Sequence, residues 1–384
     1  MHSRASVVVL FYSERGGIVH YATSLGSAIG QYCHSTVHMI GHDDGLAVES
    51  LWALLDRLRL IRQLRRLYNP NRFRRIARLV VKKHNPSVVH LATGVPCMHA
   101  FVTELQRHGV MVVYTLHDPL PHHENRTTWG KIHTYITEHR LSRRNLALVD
   151  LIHVHSEAHA AIMLRRFPEL RAERIYVVQH GGGITADVAA GSEVPAELAV
   201  NSDAKDYVLF FGRIQPYKGL HVLFAAISAL LPKYPELRLV VAGSGRMPPV
   251  PEDIAANLVI INRFIDDREI KAIFNKASFI VLPYLEATQT GVIPLASAFS
   301  LPAVVTRVGV VPELVKDDVT GLIVDAGDVH ALAAAMERMI GSPTQTQLMG
   351  AAARSYMLEH YQWSVVAEAH FRQYMSRQAC PKAT

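Results

Sequence analysis

Short apolar, β-rich runs alternate with helix-length segments along this chain, and the series occurs twice. In the first half, Ser6 to Phe11 reads as a strand, Gly16-Gly17 breaks it, and Val19 to Gln31 reads as a helix. The theme repeats at Val88–Leu91 (strand), Pro96–His108 (helix), Met111–Leu116, Leu151–His155 and Arg174–Gln179 (strands). Gly181-Gly182-Gly183 ends the series, and residues 184–205, small, polar and acidic, read as a linker. A second series predicts strands at Tyr207–Phe211, Leu237–Ala242, Leu258–Ile261, Phe279–Pro283, Ala303–Thr306 and Gly321–Val324. Helical patterns such as Gly219–Leu231 and Asp267–Lys276 separate them, and about Thr344 to Arg377 reads as mostly helical. Strands alternating with helices of this length predict parallel sheets covered on both faces. With 384 residues the chain exceeds one ordinary core, so the expectation is an α/β protein of two Rossmann-like domains. Ligands in such sheets bind beyond the carboxyl ends of the strands, which directs attention to the loops there and to a cleft between the two halves.

Hydrophobic residues make up 49% and charged residues 19%, which excludes a disordered chain. No run of about 18 apolar residues predicts a spanning helix. The N-terminus lacks the apolar region and cleavage site of a signal peptide, and three scattered cysteines, Cys33, Cys97 and Cys380, suit a reducing cytoplasm. The net charge of +7 is concentrated between Arg57 and Lys83, where eleven cations occur with no acid among them. Leu51, Leu54, Leu55, Leu58, Ile61 and Leu64 recur at helical spacing beneath the first part of that run. A basic amphipathic pattern suits an anionic membrane surface. A solvated basic face would look the same. A nucleic-acid surface would share the charge, but only Tyr68 and Phe73 are there to stack on bases, so no nucleic-acid partner is expected.

Five loops carry polar residues at predicted strand ends. In FFGRIQPYKG (210–219), Gly212 ends a strand, Arg213 and Lys218 follow, and a helix opens. A planar guanidinium and a compact ammonium at a strand-to-helix turn suit a diphosphate, although a surface turn with two solvated cations fits as well. SERGGIVHYA (13–22) has paired glycines, Gly16 and Gly17, that let backbone approach a ligand; it is not the GxGxxG of a dinucleotide site. TLHDPLPHHENR (115–126) sets His117 and Asp118 at a strand end, with His122, His123 and Glu124 beyond. These residues could bind sugar hydroxyls or stabilise charge; their spacing matches no standard metal pattern, so no metal is expected. AGSG (242–245) with Gly243, and NLVIINRF (257–264) with Arg263 and Phe264, could lie beside a nucleobase. In PYLEATQTGVIPLASAFSLPAVVT (283–306), Glu286 precedes the polar turn Thr288-Gln289-Thr290-Gly291, and a helix opens at Val292. That arrangement is either an anion site or simply a Thr-capped helix.

Together these stretches resemble the group 1 glycosyltransferases of the GT-B fold, retaining enzymes that use nucleotide-diphosphate sugars. FFGRIQPYKG, LRLVVAGSG, NLVIINRFIDDREIKAIF, the 283–306 segment and VGVVPELVKDDVTGLIV (308–324) carry the resemblance in the second half. The first half is similar more loosely, through Gly16-Gly17, His117-Asp118, HSE (155–157) and His180-Gly181. The tail YQWSVVAEAHFRQYM resembles the family's last helix, which crosses back to the first domain. The resemblance implies an acceptor domain at 1–183 with a returning helix at about 360–380, a linker at 184–205, and a donor domain at 206–359. It implies that Arg213 and Lys218 neutralise the leaving diphosphate, and that Thr290-Gly291-Val292 binds the β-phosphate. Glu286 would touch sugar hydroxyls and His117 would sit by the reacting centre. Gly16, Gly17, Gly212, Gly243, Arg263, Phe264, Thr288 and Gln289 would line the donor, with Asp118, His122 and His123 on the acceptor side. The family pairs two Glu residues around this turn. Aligned on Pro302, the second falls on Leu295 and the first on Ala287, one residue after Glu286.

The implied chemistry needs no protein nucleophile, no cofactor and no bound metal: Arg and Lys meet the charge that builds on the leaving diphosphate. The expected function is transfer of a sugar to a polyprenyl-diphosphate-linked or other oligosaccharide acceptor, by a cytoplasmic protein held peripherally on the inner membrane face. A nucleotide-sugar 2-epimerase of the same architecture, or a non-catalytic nucleotide-binding protein, are the alternatives.

Overall fold

The computed structural model describes residues 6–11, 17–33, 37–40, 69–95, 97–117, 142–184, 186–199, 207–287 and 290–378. The chain divides into two compact units, Met1–His180 with Trp363–Thr384, and Gly181–Gln362.

In the first unit, strands β1 (Val7–Leu10), β2 (Val37–Ile40), β3 (Val88–Leu91), β4 (Met111–Thr115), β5 (Leu151–Val154) and β6 (Ile175–Val177) form one sheet in the order β2-β1-β3-β4-β5-β6. Every pairing is parallel. The sequence pattern did not predict β2. Its VHMI has two β-branched residues against three in VVVL, and it lies on the sheet edge. One sheet face packs Val8, Leu10, Val89, Leu91, Val112, Ile152 and Val154 against helices α2 (Pro70–His84), α3 (Met98–Arg107), α4 (Ser142–Leu148) and α5 (Glu157–Arg166). The opposite face packs Val7, Val9, Val88, Val113 and Leu151 under α1 (Gly17–Cys33) and the C-terminal helix Trp363–Gln378. The alternation within each strand therefore serves two covered faces, which is why β1, β3 and β5 are buried at every position. Asn69 caps α2 by accepting from the Asn71 N–H (3.0 Å), and Ser156 caps α5 by accepting from the His159 N–H (3.1 Å).

The second unit holds β7 (Tyr207–Phe211), β8 (Leu239–Ala242), β9 (Leu258–Ile261), β10 (Ala277–Leu282), β11 (Ala303–Thr306) and β12 (Gly321–Val324), again all parallel. The order β9-β8-β7-β10-β11-β12 is that of a dinucleotide-type doubly wound sheet. Its direction of winding reverses between β7 and β10, so the crevice for a ligand opens between the loops that follow these two strands. Close packing of the neighbouring loops depends on glycine. A Cβ on Gly243, at φ +148°, would lie 1.8 Å from the Gly212 carbonyl oxygen, and one on Gly219, at φ +68°, would lie 1.9 Å from the Pro283 carbonyl oxygen.

The linker expected at 184–205 is corrected by the structure. Its described part forms helices α6 (Ala186–Ala190) and α7 (Ala196–Ala199) within the second unit. Val188 and Leu198 enter that unit's core, and burying them outweighs the polar composition that suggested a free segment. The remaining helices are α8 (Leu220–Leu230), α9 (Asp267–Asn275), α10 (Val292–Ala298), α11 (Val311–Leu314), α12 (Val329–Gly341), α13 (Pro343–His360) and α14 (Trp363–Gln378). No helix among the described residues is long and apolar enough to cross a membrane.

Candidate active site

The loops after β7 and β10 flank the reversal point of the second sheet. Arg213 is exposed there and makes no hydrogen bond or ion pair among the described residues. Pro216–Lys218 forms one 3-10 turn closed by Gly219 in the left-handed region. The two loops are stitched together, since the Leu285 N–H donates to the Tyr217 carbonyl (2.8 Å). The Lys218 Nζ lies 3.6 Å from the centroid of the Tyr284 ring and 5.1 Å from that of Tyr217. Glu286 is exposed on the same loop, and Phe264, beyond β9, is 63% exposed. An aromatic ring left that open offers a stacking face.

The 290–292 turn departs from a plain anion site. Thr290 Oγ1 already accepts the Val292 N–H (3.2 Å), Pro294 has no N–H to offer, and the Leu295 N–H bonds back to Gly291. Most of the first turn of α10 is thus satisfied within the chain, so positive charge at this loop comes from the side chains of Arg213 and Lys218 more than from backbone N–H groups. Leu295 is half-buried against the core cluster, so a hydrocarbon occupies the position that the resemblance gives to a carboxylate.

Arg263, expected at the donor, serves another purpose. Its Nε and Nη2 donate to Glu197 (3.1 and 3.2 Å), and Nη1 and Nη2 donate to Glu269 (2.7 Å each). Nη1 also donates to the Phe264 carbonyl (3.2 Å). With its fork spent on two carboxylates, the side chain ties α7 to α9 and has no donor left for a ligand. Glu269 is held below the usual carboxylate range, first by its hydrogen bonds from Arg263. Arg263→Ala should cost about 1–2 kcal/mol in urea unfolding, less than a fully buried pair because the Arg263 side chain is 40% exposed.

In the first unit, His117 follows β4. The Ala92 carbonyl can only accept, so it takes a proton from His117 Nε2 (2.9 Å); Nδ1 then accepts from His155 Nε2 (3.0 Å). Both nitrogens are thus engaged within the chain, which fixes the orientation of the His117 ring at the end of β4.

Beneath His117 lies a histidine cluster that sequence reasoning missed. His90 and His153 occupy inward positions of β3 and β5, while His370 and Tyr374 project from α14. His153 Nε2–H donates to the Val178 carbonyl (2.8 Å), which leaves Nδ1 to accept from the Thr115 hydroxyl (2.9 Å). Thr115 Oγ1 accepts in turn from His90 Nε2 (2.6 Å), and His90 Nδ1 accepts from the Tyr374 hydroxyl (2.5 Å). Tyr176 bonds His370 Nδ1 (2.9 Å). Burial drives the His90 pKa down to about 3 and those of His153, His155 and His370 well below the usual range, with neighbouring histidines adding to the shift. The signal in the sequence was a polar residue at alternating strand positions in VVHL and LIHVHS. Among the described residues no group of His, Cys, Asp or Glu is placed to hold a metal ion.

Gly17 is the first residue of α1. Gly16, Asp118, His122, His123, Thr288 and Gln289 lie outside the described residues, as does the Arg57–Tyr68 part of the basic stretch.

The family description "Glycosyl transferases group 1" matches residues 205–342, and "Glycosyltransferase Family 4" matches residues 15–181. The chain is 29% identical over 228 residues to alpha-maltose-1-phosphate synthase of Mycolicibacterium smegmatis, covering 54% of this chain and 58% of that protein. It is 30% identical over 168 residues to the GDP-mannose-dependent alpha-(1-6)-phosphatidylinositol monomannoside mannosyltransferase of the same organism, covering 41% of this chain and 44% of the other. The chain thus spans about half the length of the curated relatives it matches. Among solved structures, Anabaena HepE in complex with UDP-glucose is similar at a TM-score of 0.66 and 17% identity, covering 96% of this chain and 99% of the other. The fold is GT-B, with an α/β parallel sheet in each of its two units.

Proposed function

This chain belongs to the group 1 glycosyltransferases, and we propose that it moves a sugar from a nucleotide-diphosphate sugar to a glycan acceptor. One observation carries this reading: the reversal point of the second sheet is bordered by Arg213, exposed and unpaired among the described residues, and by Lys218, held over an aromatic face. The diphosphate lies against these two cations, the base against exposed Phe264, and the sugar hydroxyls near Glu286. As the bond from the sugar's anomeric carbon to the phosphate oxygen breaks, negative charge gathers on the diphosphate, where fixed cations stabilise it most. The acceptor oxygen bonds to the same carbon from the same face and passes its proton to the departing phosphate oxygen, so configuration is retained. Arg213 and Lys218 supply the charge that a metal would otherwise bring.

The test is a transfer assay with a panel of nucleotide sugars and lipid-extracted acceptors, read by product analysis. The expected product is a glycosylated acceptor with an unchanged anomeric configuration. Release of a free sugar or its epimer without acceptor would point to a 2-epimerase instead.

For the acceptor we propose a polyprenyl-diphosphate-linked glycan, met at the cytoplasmic membrane face by α2. Arg75, Arg78, Leu79 and Lys82 are exposed and spaced to share one face of that helix. Arg78 also donates to Glu104 (2.7 Å), so the charge facing outward rests more on Arg75 and Lys82. Replacing these two by Gln should weaken binding to anionic vesicles by roughly thirtyfold, at about 1 kcal/mol per charge. Unchanged sedimentation with vesicles would remove the membrane from the account.

A further inference from the structure

We infer that Tyr284 is a positioning residue: it holds the Lys218 ammonium at the edge of the β7–β10 crevice. The inference rests on the diphosphate reading above and adds a residue to it.

Lysine is a poor clamp by itself. Its ammonium sits on a flexible stem with many rotamers, and fixing it costs entropy. Here the Lys218 Nζ lies 3.6 Å above the Tyr284 ring, well inside the range of a cation–π contact, with the Tyr217 ring 5.1 Å away on another side. The aromatic faces attract the ammonium without cancelling its charge.

The ring is itself held from three directions. Tyr284 is 1% exposed, its carbonyl accepts from the Thr306 hydroxyl (2.5 Å), and its own hydroxyl lies against the Thr290 side chain. Thr290 in turn accepts the Val292 N–H. Next to it, Pro283 packs against Gly219 so closely that no Cβ fits, and Leu285 donates to the Tyr217 carbonyl. One buried side chain thereby links the lysine of the first loop to the Thr290–Val292 turn of the second.

The experiment uses the full chain with inorganic pyrophosphate as the probe, read by calorimetric titration. Tyr284→Phe keeps the ring face and should hold pyrophosphate affinity within about threefold, while Tyr284→Leu should weaken it by roughly tenfold. Because Leu leaves a cavity, a second series keeps the size of the ring: 4-fluoro-, 3,5-difluoro- and 3,4,5-trifluorophenylalanine at position 284. Affinity should fall stepwise as fluorine drains the ring face. In a Lys218→Ala background the same series should be flat. A flat series in the wild-type background, with Lys218→Ala still weakening binding, overturns the role of Tyr284 and leaves the diphosphate reading standing. If Lys218→Ala binds pyrophosphate as well as wild type, or wild type does not bind it, the diphosphate reading fails and this inference falls with it.

Discussion

Arg213→Ala and Lys218→Ala are each expected to lower sugar transfer by about two to three orders of magnitude with little change in melting temperature. Removing one preorganised group aimed at developing negative charge typically costs about 3–4 kcal/mol of transition-state stabilisation. Stability should be spared in Arg213→Ala because that side chain is exposed and has no partner among the described residues. Lys218→Ala should cost little more, since Tyr284 remains packed beneath it. The loss should fall mainly on kcat, because the charge on the diphosphate grows as the bond breaks. Lys218→Arg should recover only part of the activity: a guanidinium also stacks on an aromatic ring, but its longer, planar group spreads the charge away from the point that the ammonium occupies 3.6 Å from the ring centroid. A rise in KM alone, or transfer at wild-type rate, would assign the cations to ordinary binding or to solvent.

The second large effect is on acid stability. His90, His153, His155 and His370 are at most 2% exposed and are held neutral. Tyr21, Tyr176 and Tyr374 surround them, with His117 and His180. In the unfolded chain each histidine titrates near its ordinary value of about 6.5. The unfolded state therefore binds more protons throughout the window below that value, down to about 3 for His90. Stability is complete above about pH 6.5 and is lost as pH falls, by about 1 kcal/mol per group over the first unit of pH and about 1.4 per unit thereafter. Four such groups remove about 4 kcal/mol by pH 5.5, a large part of a typical total. The first unit should accordingly melt far earlier at pH 5 than at pH 7.5, and His90→Gln should make the acid limb shallower. Calorimetry from pH 7.5 to 4.5 measures this, and a melting temperature independent of pH would show that the histidines are not buried neutral.

Much of this was readable from residues whose local chemistry matches their final place. Tyr207–Phe211, Leu258–Ile261, Ala303–Thr306 and Gly321–Val324 form strands with the bounds expected, because short apolar runs bounded by turn residues leave few alternatives. Arg213 and Lys218 could be picked out because both lie in one short turn. The parts that escaped depend on long-range contacts. Arg263 resembles a ligand-binding cation in sequence, and only the folding of Glu197 and Glu269 onto it, 66 and 6 residues away, uses it up. The histidine cluster joins β3, β5 and α14, with His90 and Tyr374 separated by 284 positions. Tyr284 carries no signal of its own in the sequence; the turn of the other loop sets an ammonium above its ring. The segment at 184–205 failed as a linker for a related reason: two apolar residues, Val188 and Leu198, outweighed its polar composition once a core was available.

Calorimetric titration of the full chain with UDP, GDP, ADP and dTDP, each against its monophosphate, tests the central claim most directly. The account predicts that at least one diphosphate binds and that its monophosphate binds at least thirtyfold more weakly. It predicts that the Arg213→Ala/Lys218→Ala double variant abolishes that difference. A chain that binds none of the four, or a double variant that still prefers the diphosphate, would contradict it.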